Sequence, residues 1–418
     1  MKMNQVVRYK DNQLHMESVA LDSVAEAIGT PFYCYSKATI EQQIAACKDA
    51  FSRLNATIHY AVKANSNLTI LRMMAKAGLG ADVVSVGELE RVLVAGIPAE
   101  KVIFSGVGKR QDELLAALEA GIGQFNLESL PELEALRALC QRTGKVAAVS
   151  VRINPDVDGS THRHITTGVK GSKFGVPMEQ LDQILGIITE SDSLQLRGLA
   201  VHIGSQIVTP EPYRKVCERL CDWITDLRSR GFPIEHLDLG GGFGIDYGDG
   251  HFLDFETVAS VMYEHLQKMD HLNIAIEPGR SLVGEAGVLV SEVIYRKEAE
   301  PLPFLILDAG MNDLMRPALY QAAHPMQPLR DGDQAQEVVN VVGPICESTD
   351  FFHKAITLPK IEQGERVALL KAGAYGAVMA SIYNSRDIIP EVMVDGDQHA
   401  MIRRRITSKA LLALELSE

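Results

Sequence analysis

The sequence predicts an α/β fold: a (β/α)₈ barrel followed by a β-rich domain. Over residues 36–278, short apolar runs alternate with longer amphipathic runs, and eight of the short runs can be counted. Eight parallel strands, each followed by a helix, make a (β/α)₈ barrel, and the segment fits the usual size of about 250 residues. After Gly279 the alternation gives way to strand-like runs separated by turns. A doubly wound open sheet is the structural alternative for the first segment, because counting strands does not show whether a sheet closes.

The short runs have the composition of strands that are buried on both faces. They are rich in Val and Ile and are bounded by Gly, Pro or Asn, which is typical of parallel strands. The runs between them carry apolar residues three or four positions apart and often end in Gly, which is typical of helices. The predicted strands cover 57–62, 80–85, 102–105, 122–126, 146–154, 196–204, 236–240 and 272–277. Helical patterns include 67–78, 87–96, 109–121 and 128–144.

Residues 279–418 are predicted to form the β-rich domain. Strand-like runs there cover 288–298, 304–310, 337–344, 365–373 and 399–407. The first 35 residues also contain a strand-like run at 14–19, and we expect this segment to pack with the β-rich domain. The predicted domain boundaries are therefore 1–35, 36–278 and 279–418, with the barrel inserted between two parts of the β domain.

The composition is that of a soluble globular protein. Among 418 residues, 41 basic and 54 acidic side chains give a formal net charge of −13, and 46% of the residues are hydrophobic. The acidic balance disfavours nucleic acid or an anionic membrane as the main partner. There is no signal-peptide pattern and no stretch apolar enough to span a bilayer. Because the six cysteines form no CxxC pair, we expect a reduced, cytoplasmic protein without a metal site.

Polar residues follow the predicted strands at the end where a (β/α)₈ barrel carries its active site. The carboxyl ends of the strands meet at one mouth of the barrel, so these residues are expected to lie close together. In chain order they are Lys63, Asp82, Ser85, Arg152, Asn154, His202, Ser205, the glycine run 240–244 and the turn 277–280.

Four of these features have both a structural and a chemical interpretation. Lys63 alone is most often a surface lysine, but a lysine in a desolvated pocket can form a Schiff base. The glycine run can be a tight turn with positive φ or a backbone cradle for phosphate. Glu277 can be a salt-bridge partner or can hold a proton on a pyridine nitrogen, and His202 can be an ordinary histidine or can stack on a ring. A lysine imine, a phosphate cradle and a carboxylate for a ring nitrogen together predict pyridoxal 5'-phosphate as the cofactor.

Several motifs resemble those of a known family. They are Tyr60-Ala-Val-Lys63-Ala-Asn65, Gly80-Ala-Asp-Val-Val-Ser85, Asn154-Pro-Asp-Val-Asp158, His202-Ile-Gly-Ser-Gln206, Gly240-Gly-Gly-Phe-Gly244 and Glu277-Pro-Gly-Arg280. They resemble the pyridoxal-phosphate-dependent decarboxylases of the alanine-racemase fold, and within that group the diaminopimelate decarboxylases. The resemblance covers nearly the whole chain, in order. It implies decarboxylation of meso-2,6-diaminopimelate to L-lysine and CO₂, the last step of lysine biosynthesis.

The resemblance also implies roles for matching residues. The implied catalytic residues are Lys63, which links covalently to the cofactor, His202, which stacks on its ring, and Cys346, a proton donor. The implied cofactor-binding residues are Lys63, Asp82, His202, Ser205, Gly240, Gly241, Gly242, Glu277, Gly279, Arg280 and Tyr375. The implied substrate-binding residues are Arg280, Arg316, Tyr320, Glu347 and Tyr375. No metal is implied.

The loop 346–350 bears on the choice of substrate. Relatives that take ornithine typically have Asp where this chain has Glu347, whose longer side chain suits the distal ammonium of diaminopimelate. Arg280, Arg316 and Tyr320 match family positions that bind the distal carboxylate, which ornithine lacks. In the family this loop reaches the active site of the partner subunit, which implies a homodimer with shared sites.

Three other interpretations stay open on the sequence alone. A decarboxylase of the same fold could act on ornithine, arginine or carboxynorspermidine. A non-catalytic relative could bind a partner, although Lys63, Cys346 and Glu277 are all present. A lysine-dependent aldolase on a barrel would not need a phosphate cradle together with a β-rich domain. Thr349 stands where the family usually has Gly, a departure that leaves the assignment unchanged.

Overall fold

The computed structural model describes residues 6–159, 172–332 and 334–416. The chain forms two compact units. The barrel unit comprises Ile44–Ile245 and His251–Ser281, and the β unit comprises Met1–Gln43, Asp246–Gly250 and Leu282–Glu418. The domain boundaries given by the sequence patterns stay a prediction.

Eight parallel strands close into a barrel in the barrel unit. In chain order, barrel strands 1 to 8 are Thr57–Ala61, Gly80–Val83, Val102–Phe104, Gln124–Leu127, Ala147–Arg152, Leu194–Ala200, His236–Asp238 and Asn273–Ile276. Barrel strand 8 pairs with barrel strand 1, where Ala275 lies opposite Thr57. The sheet therefore has no edge, which confirms the predicted barrel and excludes the doubly wound open sheet.

Helices follow the barrel strands, and capping residues set their ends. Those after barrel strands 1 to 7 are Leu68–Lys76, Val86–Ala95, Gln111–Ala120, Leu130–Thr143, Met178–Thr189, Glu211–Ser229 and Phe255–Leu266. Ser85 and Ser129 start two of them, each accepting a backbone N–H bond in the first turn. Gly96 and Gly144 end the same two helices in the left-handed conformation, which glycine adopts without steric cost.

The helix after barrel strand 8 differs from the sequence prediction. Only a four-residue helix, Arg280–Val283, follows this strand. The chain then enters Gly287–Lys297, a long strand of the β unit, so no room is left for a full helix. A 14-residue helix, Lys37–Ala50, instead precedes barrel strand 1.

The barrel core lies between the sheet and the helices around it. Phe104 and Phe125 from adjacent strands stack with their ring centroids 6.5 Å apart, and both are buried. Leu133 and Ile184, on two of the surrounding helices, have no exposed surface. Burying a side chain of this size stabilises the fold by about 1.5–3 kcal/mol.

The β unit is built around the long strand Gly287–Lys297. It pairs with Phe32–Ser36, Phe304–Leu307 and Arg366–Leu369. The other strands of this sheet are Met326–Pro328, Gln336–Val342, Phe351–Pro359, Glu391–Asp395 and Gln398–Arg403. The helices of the unit are Leu21–Ile28, Arg316–Tyr320 and Ser408–Ala413.

Residues 7–20 form a small sheet of their own. Val7–Lys10, Gln13–Met16 and Val19–Ala20 pair in order as three antiparallel strands. Leu14 of this sheet is buried in one apolar cluster with Val288 and Val392 of the large sheet. Among the described residues of both units, no helix has the length and hydropathy needed to cross a membrane.

Candidate active site

Lys63 lies on the turn that follows barrel strand 1. This turn is the short 3₁₀ segment Val62–Ala64. The Lys63 Nζ lies 2.5 Å from Oδ2 of Asp82, whose side chain is fully buried, while 33% of the Lys63 side chain is exposed. Barrel strands 1 and 2 are neighbours with Ala61 opposite Asp82, so the strand register brings the two charges together. The amine is thus held at the carboxyl end of the barrel.

Glu277 and Asp238 form a buried pair of carboxyl groups at the same end. Glu277 follows barrel strand 8, and Asp238 is the last residue of barrel strand 7. Burial, followed by the charges of Asp238 and Asp82, raises the pKa of Glu277 well above its usual range, although Lys63 opposes the shift. The raised pKa favours the protonated form of Glu277, with Asp238 as its hydrogen-bond partner.

His202 lies beyond the end of barrel strand 6 and is neutral. The backbone N–H of Gly241 donates to its Nδ1 at 3.2 Å, so this nitrogen carries no proton. Burial, together with the positive charges of Arg152 and Lys63, lowers the pKa of the imidazole well below its usual value. An uncharged aromatic ring therefore faces the mouth of the barrel.

The glycine run after barrel strand 7 is required by close backbone contacts. A Cβ on Gly241 would lie 2.1 Å from the carbonyl oxygen of Glu277. Gly242 has φ +95°, and a Cβ there would lie 2.3 Å from the carbonyl oxygen of Gly204. The backbone of Gly240 is pinned to the next strand, because the N–H of Glu277 donates to its carbonyl oxygen at 2.8 Å. The glycine run therefore forms a tight turn, and its backbone lies close to the backbone of Gly204 and Glu277.

The turn after barrel strand 8 packs against the Lys63 turn. A Cβ on Gly279 would lie 3.0 Å from the Cβ atoms of Ala61 and Ala64. Arg280 is buried, and its Nη2 donates to Oγ of Ser205 at 3.0 Å. This contact joins the loops after barrel strands 6 and 8.

Several of these side chains line one cavity of about 160 Å³. Its lining includes Lys63, Asn126, Arg152, His202 and Glu277. The structure therefore brings together the lysine, the histidine and the carboxyl group that the sequence analysis singled out at separate strand ends.

Three buried residues of the site escape sequence reasoning. Asp238 gives one signal only, a charged residue inside the apolar run 236–240. Glu128 accepts a hydrogen bond from Nη1 of Arg152 at 2.6 Å, and both side chains are buried. Asn126 donates to Asp238 across a large sequence separation, so no local pattern reports the contact.

Glu88 is a fourth residue that sequence reasoning missed. Burial raises its pKa to about 7, although the N–H of Val84 and the charge of Lys63 lower it. Its backbone N–H donates to Oγ of Ser85 at 3.2 Å at the start of the helix. The signal in the sequence is the Ser-x-x-Glu pattern of a capping box, which predicts a helix start rather than a site.

In the β unit, Arg316 is buried and held by two aromatic side chains. Its guanidinium lies 4.5 Å from the ring centroid of Tyr247, and its Nη1 donates to Nε2 of His324 at 2.7 Å. His324 Nδ1 in turn donates to the carbonyl oxygen of Leu370 at 2.9 Å, which fixes the neutral tautomer. Tyr320 ends the short helix that Arg316 begins and is half-buried.

Cys346 and Glu347 lie on an exposed loop of the β unit. Its ends are anchored, because buried Asp350 accepts from the N–H of Ile345 at 2.8 Å and the N–H of Cys346 donates to Asn384 Oδ1 at 2.8 Å. Tyr375 lies on a separate turn with φ +55°. Cys346 and Glu347 therefore share one loop, and Arg316 and Tyr320 share one short helix. Tyr375 lies on neither of these elements.

Known proteins match the chain over almost its full length. Residues 37–284 match the family model described as pyridoxal-dependent decarboxylase, pyridoxal binding domain. The diaminopimelate decarboxylase of Pseudomonas aeruginosa is 46% identical over 407 residues, which cover 97% of this chain and 98% of that protein. That of Neisseria meningitidis serogroup B is 44% identical, with 97% of each chain covered.

Solved structures agree with these matches. Diaminopimelate decarboxylase from M. jannaschii in co-complex with L-lysine has a TM-score of 0.94 at 35% identity, covering 99% of this chain and 98% of that one. The Helicobacter pylori enzyme complexed with L-lysine has a TM-score of 0.91 at 38% identity, covering 94% and 99%. A lysine/ornithine decarboxylase from Vibrio vulnificus complexed with cadaverine has a TM-score of 0.80 at 26% identity, covering 90% and 97%.

Proposed function

We propose a function from one premise: the chain belongs to the pyridoxal-dependent decarboxylase family and, within it, to the diaminopimelate decarboxylases. The chain removes one carboxylate from meso-2,6-diaminopimelate and releases L-lysine and CO₂. The observation that carries the proposal is the cavity that Lys63, His202 and Glu277 line together at the carboxyl end of the barrel.

The residues at this cavity fit pyridoxal 5'-phosphate. Glu277 Oε1 is buried and has no hydrogen-bond partner, so it can pair with a pyridine nitrogen. Lys63 Nζ supplies the amine for the covalent link, and neutral His202 can lie against the ring. Ser205, the glycines 240–242 and the 277–280 turn would bind the phosphate, together with Tyr375. When bound, pyridoxal phosphate supplies a sink for the electron pair that the departing carboxylate leaves behind.

Asp82 and Glu277 have different tasks in this scheme. Asp82 lies 2.5 Å from Lys63 Nζ and orients the amine toward the cavity. Glu277, protonated next to Asp238, can place its proton on the ring nitrogen, which strengthens the sink. His202 stays neutral and so adds no charge that would compete for the proton.

The β unit would supply substrate specificity and the final proton. Arg316, pre-oriented by Tyr247 and His324, would bind the distal carboxylate with Arg280 and Tyr320. Glu347 would bind the distal ammonium. Cys346 of the partner subunit would give a proton to the carbon that loses CO₂, so that the broken C–C bond is replaced by a C–H bond.

We also propose a homodimer with shared active sites, in the cytoplasm. All six cysteines are free, which suits a reducing compartment. The dimer can be tested by mixing Lys63→Ala with Cys346→Ala protein. Random pairing makes half of the dimers hybrids, and one of the two sites in each hybrid is intact, so about a quarter of the wild-type activity should return. No recovery after mixing would refute shared sites.

The reaction is tested by CO₂ release from meso-diaminopimelate, ornithine, arginine and L-lysine, each with added pyridoxal phosphate. We expect release from diaminopimelate only, and its loss in the Lys63→Ala variant. Release from ornithine or lysine alone would mean that the distal pocket is assigned to the wrong substrate. Cofactor binding without any CO₂ release would favour a non-catalytic relative.

A further inference from the structure

The backbone fixes Asp238 and Glu277 next to each other. Barrel strands 7 and 8 are paired, with Asp238 opposite Ala275. Beyond this pair the ladder continues, because the N–H of Leu239 donates to Ala275 at 3.0 Å and the N–H of Glu277 donates to Gly240 at 2.8 Å. Asp238 is 1% exposed and Glu277 is 7% exposed, and a side-chain hydrogen bond joins the two carboxyl groups.

Hydrogen-bond donors surround Asp238 and not Glu277. The N–H of Gly240 donates to Asp238 Oδ1 at 2.9 Å, and Asn126 Nδ2 donates to Oδ2 at 3.1 Å. The Asn126 amide is held in this orientation by two further hydrogen bonds, because its Oδ1 accepts from Gln124 Nε2 at 2.8 Å and its Nδ2 donates to Ser105 Oγ at 3.1 Å. Glu277 Oε1 has no partner. Donors favour the ionised form of a carboxyl group, so the pair keeps its negative charge on Asp238.

The other charged groups near the pair do not reverse this asymmetry. Asp82 also faces Glu277, but Lys63 lies against Asp82 and largely neutralises it. His59 and His236 face Asp238 from barrel strands 1 and 7, and burial lowers the pKa of both imidazoles, so they are neutral. One proton is therefore shared by two carboxyl groups, and it resides on Glu277.

We propose that Asp238, oriented by Asn126, is a positioning residue that keeps a proton on Glu277 ready for the ring nitrogen of the incoming cofactor. This inference rests on the cofactor assigned under the proposed function. On binding, the O–H bond of Glu277 breaks, an N–H bond forms on the pyridine nitrogen, and the electron pair of the broken bond stays on the Glu277 carboxylate. The ring nitrogen thus takes its proton from the protein and not from solvent.

The test counts the protons taken up when pyridoxal phosphate binds to the cofactor-stripped, full-length protein. Calorimetric titrations in two buffers that lack primary amines and differ in ionisation enthalpy give this number. The pH is chosen so that the ring nitrogen of the free cofactor is deprotonated. Wild type is compared with Asp238→Asn. In the variant an amide N–H can donate to Glu277, which therefore ionises and has no proton to give.

We expect the Asp238→Asn variant to take up about one proton per site more than wild type. Protons exchanged at Lys63 and at the phosphate are common to both proteins and cancel in the difference. Glu277→Gln carries neither an acidic proton nor a carboxylate that could hold a protonated ring, so it should show no extra uptake and is the control that assigns the effect to Glu277. Equal uptake in wild type and in folded Asp238→Asn protein would overturn the proposal.

The outcome is independent of the proposed reaction. Proton uptake is measured without substrate, whereas CO₂ release from diaminopimelate is measured on unmodified protein. Decarboxylation with equal proton uptake would refute the role of Asp238 alone. A proton difference of about one without decarboxylation would refute the proposed reaction and leave the carboxyl pair as described.

Discussion

Replacing Glu277 by Gln should stabilise the cofactor-free protein, and the gain should grow with pH. Burial and the neighbouring carboxylates raise the pKa of Glu277 in the folded state. Above the pKa of the unfolded chain, about 4.3, the folded state therefore holds a proton that the unfolded state has released. Stability from this group is fully present below that pH and is lost as the pH rises toward the folded pKa.

The size of the effect follows from the proton balance. Each pH unit within this window costs the wild type about 1.4 kcal/mol, so between pH 5 and pH 7 the gain of the variant should grow by about 2.7 kcal/mol. The Gln amide can still donate to Asp238, so the hydrogen bond is kept. For a unit of this size, 1 kcal/mol shifts the melting temperature by about 2–4 °C.

Thermal unfolding of the cofactor-stripped protein at pH 5, 6 and 7 measures the difference. Glu90→Gln is the matched control, because Glu90 is exposed on the helix Val86–Ala95 and meets solvent in both states. We expect the melting temperature of Glu277→Gln to exceed that of wild type by an amount that grows by about 5–11 °C from pH 5 to pH 7. The difference in melting temperature between Glu90→Gln and wild type should stay constant over the same range. A Glu277→Gln difference that does not change with pH would show that Glu277 is ionised in the folded protein.

Three further changes test the packing and the charges of the sites. Gly241→Ala should lower the melting temperature, since its Cβ would lie 2.1 Å from a backbone oxygen, whereas Gly87→Ala, which meets nothing closer than 3.9 Å, should stabilise its helix by about 0.5–1 kcal/mol. Arg152→Met should cost about 3–5 kcal/mol in denaturant unfolding, because Glu128 is left buried and charged, and adding Glu128→Gln should restore part of that loss. Arg316→Met should raise KM for diaminopimelate about 10–100-fold with a smaller effect on kcat, as expected for one charged hydrogen-bond partner; unchanged KM would remove Arg316 from the substrate site.

The parts of the site that depend on strand order could be predicted from the sequence. Lys63 and Asp82 lie at the ends of neighbouring strands. Because the carboxyl ends of parallel strands lie at the same edge of the sheet, the sequence alone predicted that these two residues are close. Glu277 and the glycine run follow the same rule, since barrel strands 7 and 8 are also neighbours. The roles of these residues toward a cofactor stay predictions.

Contacts between distant segments could not be predicted in this way. Asn126 meets Asp238 across the inside of the barrel, and the two are 112 positions apart. Arg316 is held by Tyr247, which lies in the short segment Asp246–Gly250 that belongs to the β unit although it is distant in sequence. A local pattern reports the period of an element and its caps, but it does not report which side chains a closed sheet brings face to face. The missing helix after barrel strand 8 has the same origin, because the path of the chain into the β unit overrides the local repeat.

The charges at the barrel mouth explain why this site suits a protonated ring. Lys63 balances Asp82, and Arg152 balances Glu128, each through a contact of 2.6 Å or less. His202 is neutral and Glu277 keeps its proton, so neither residue contributes to the net charge at the barrel mouth. Asp238 then holds the one negative charge of this set without a cationic partner, and its two N–H donors solvate it without neutralising it. A cationic ring nitrogen beside Glu277 would supply the missing positive charge, so the electrostatic balance of the protein alone favours the protonated form of the ring.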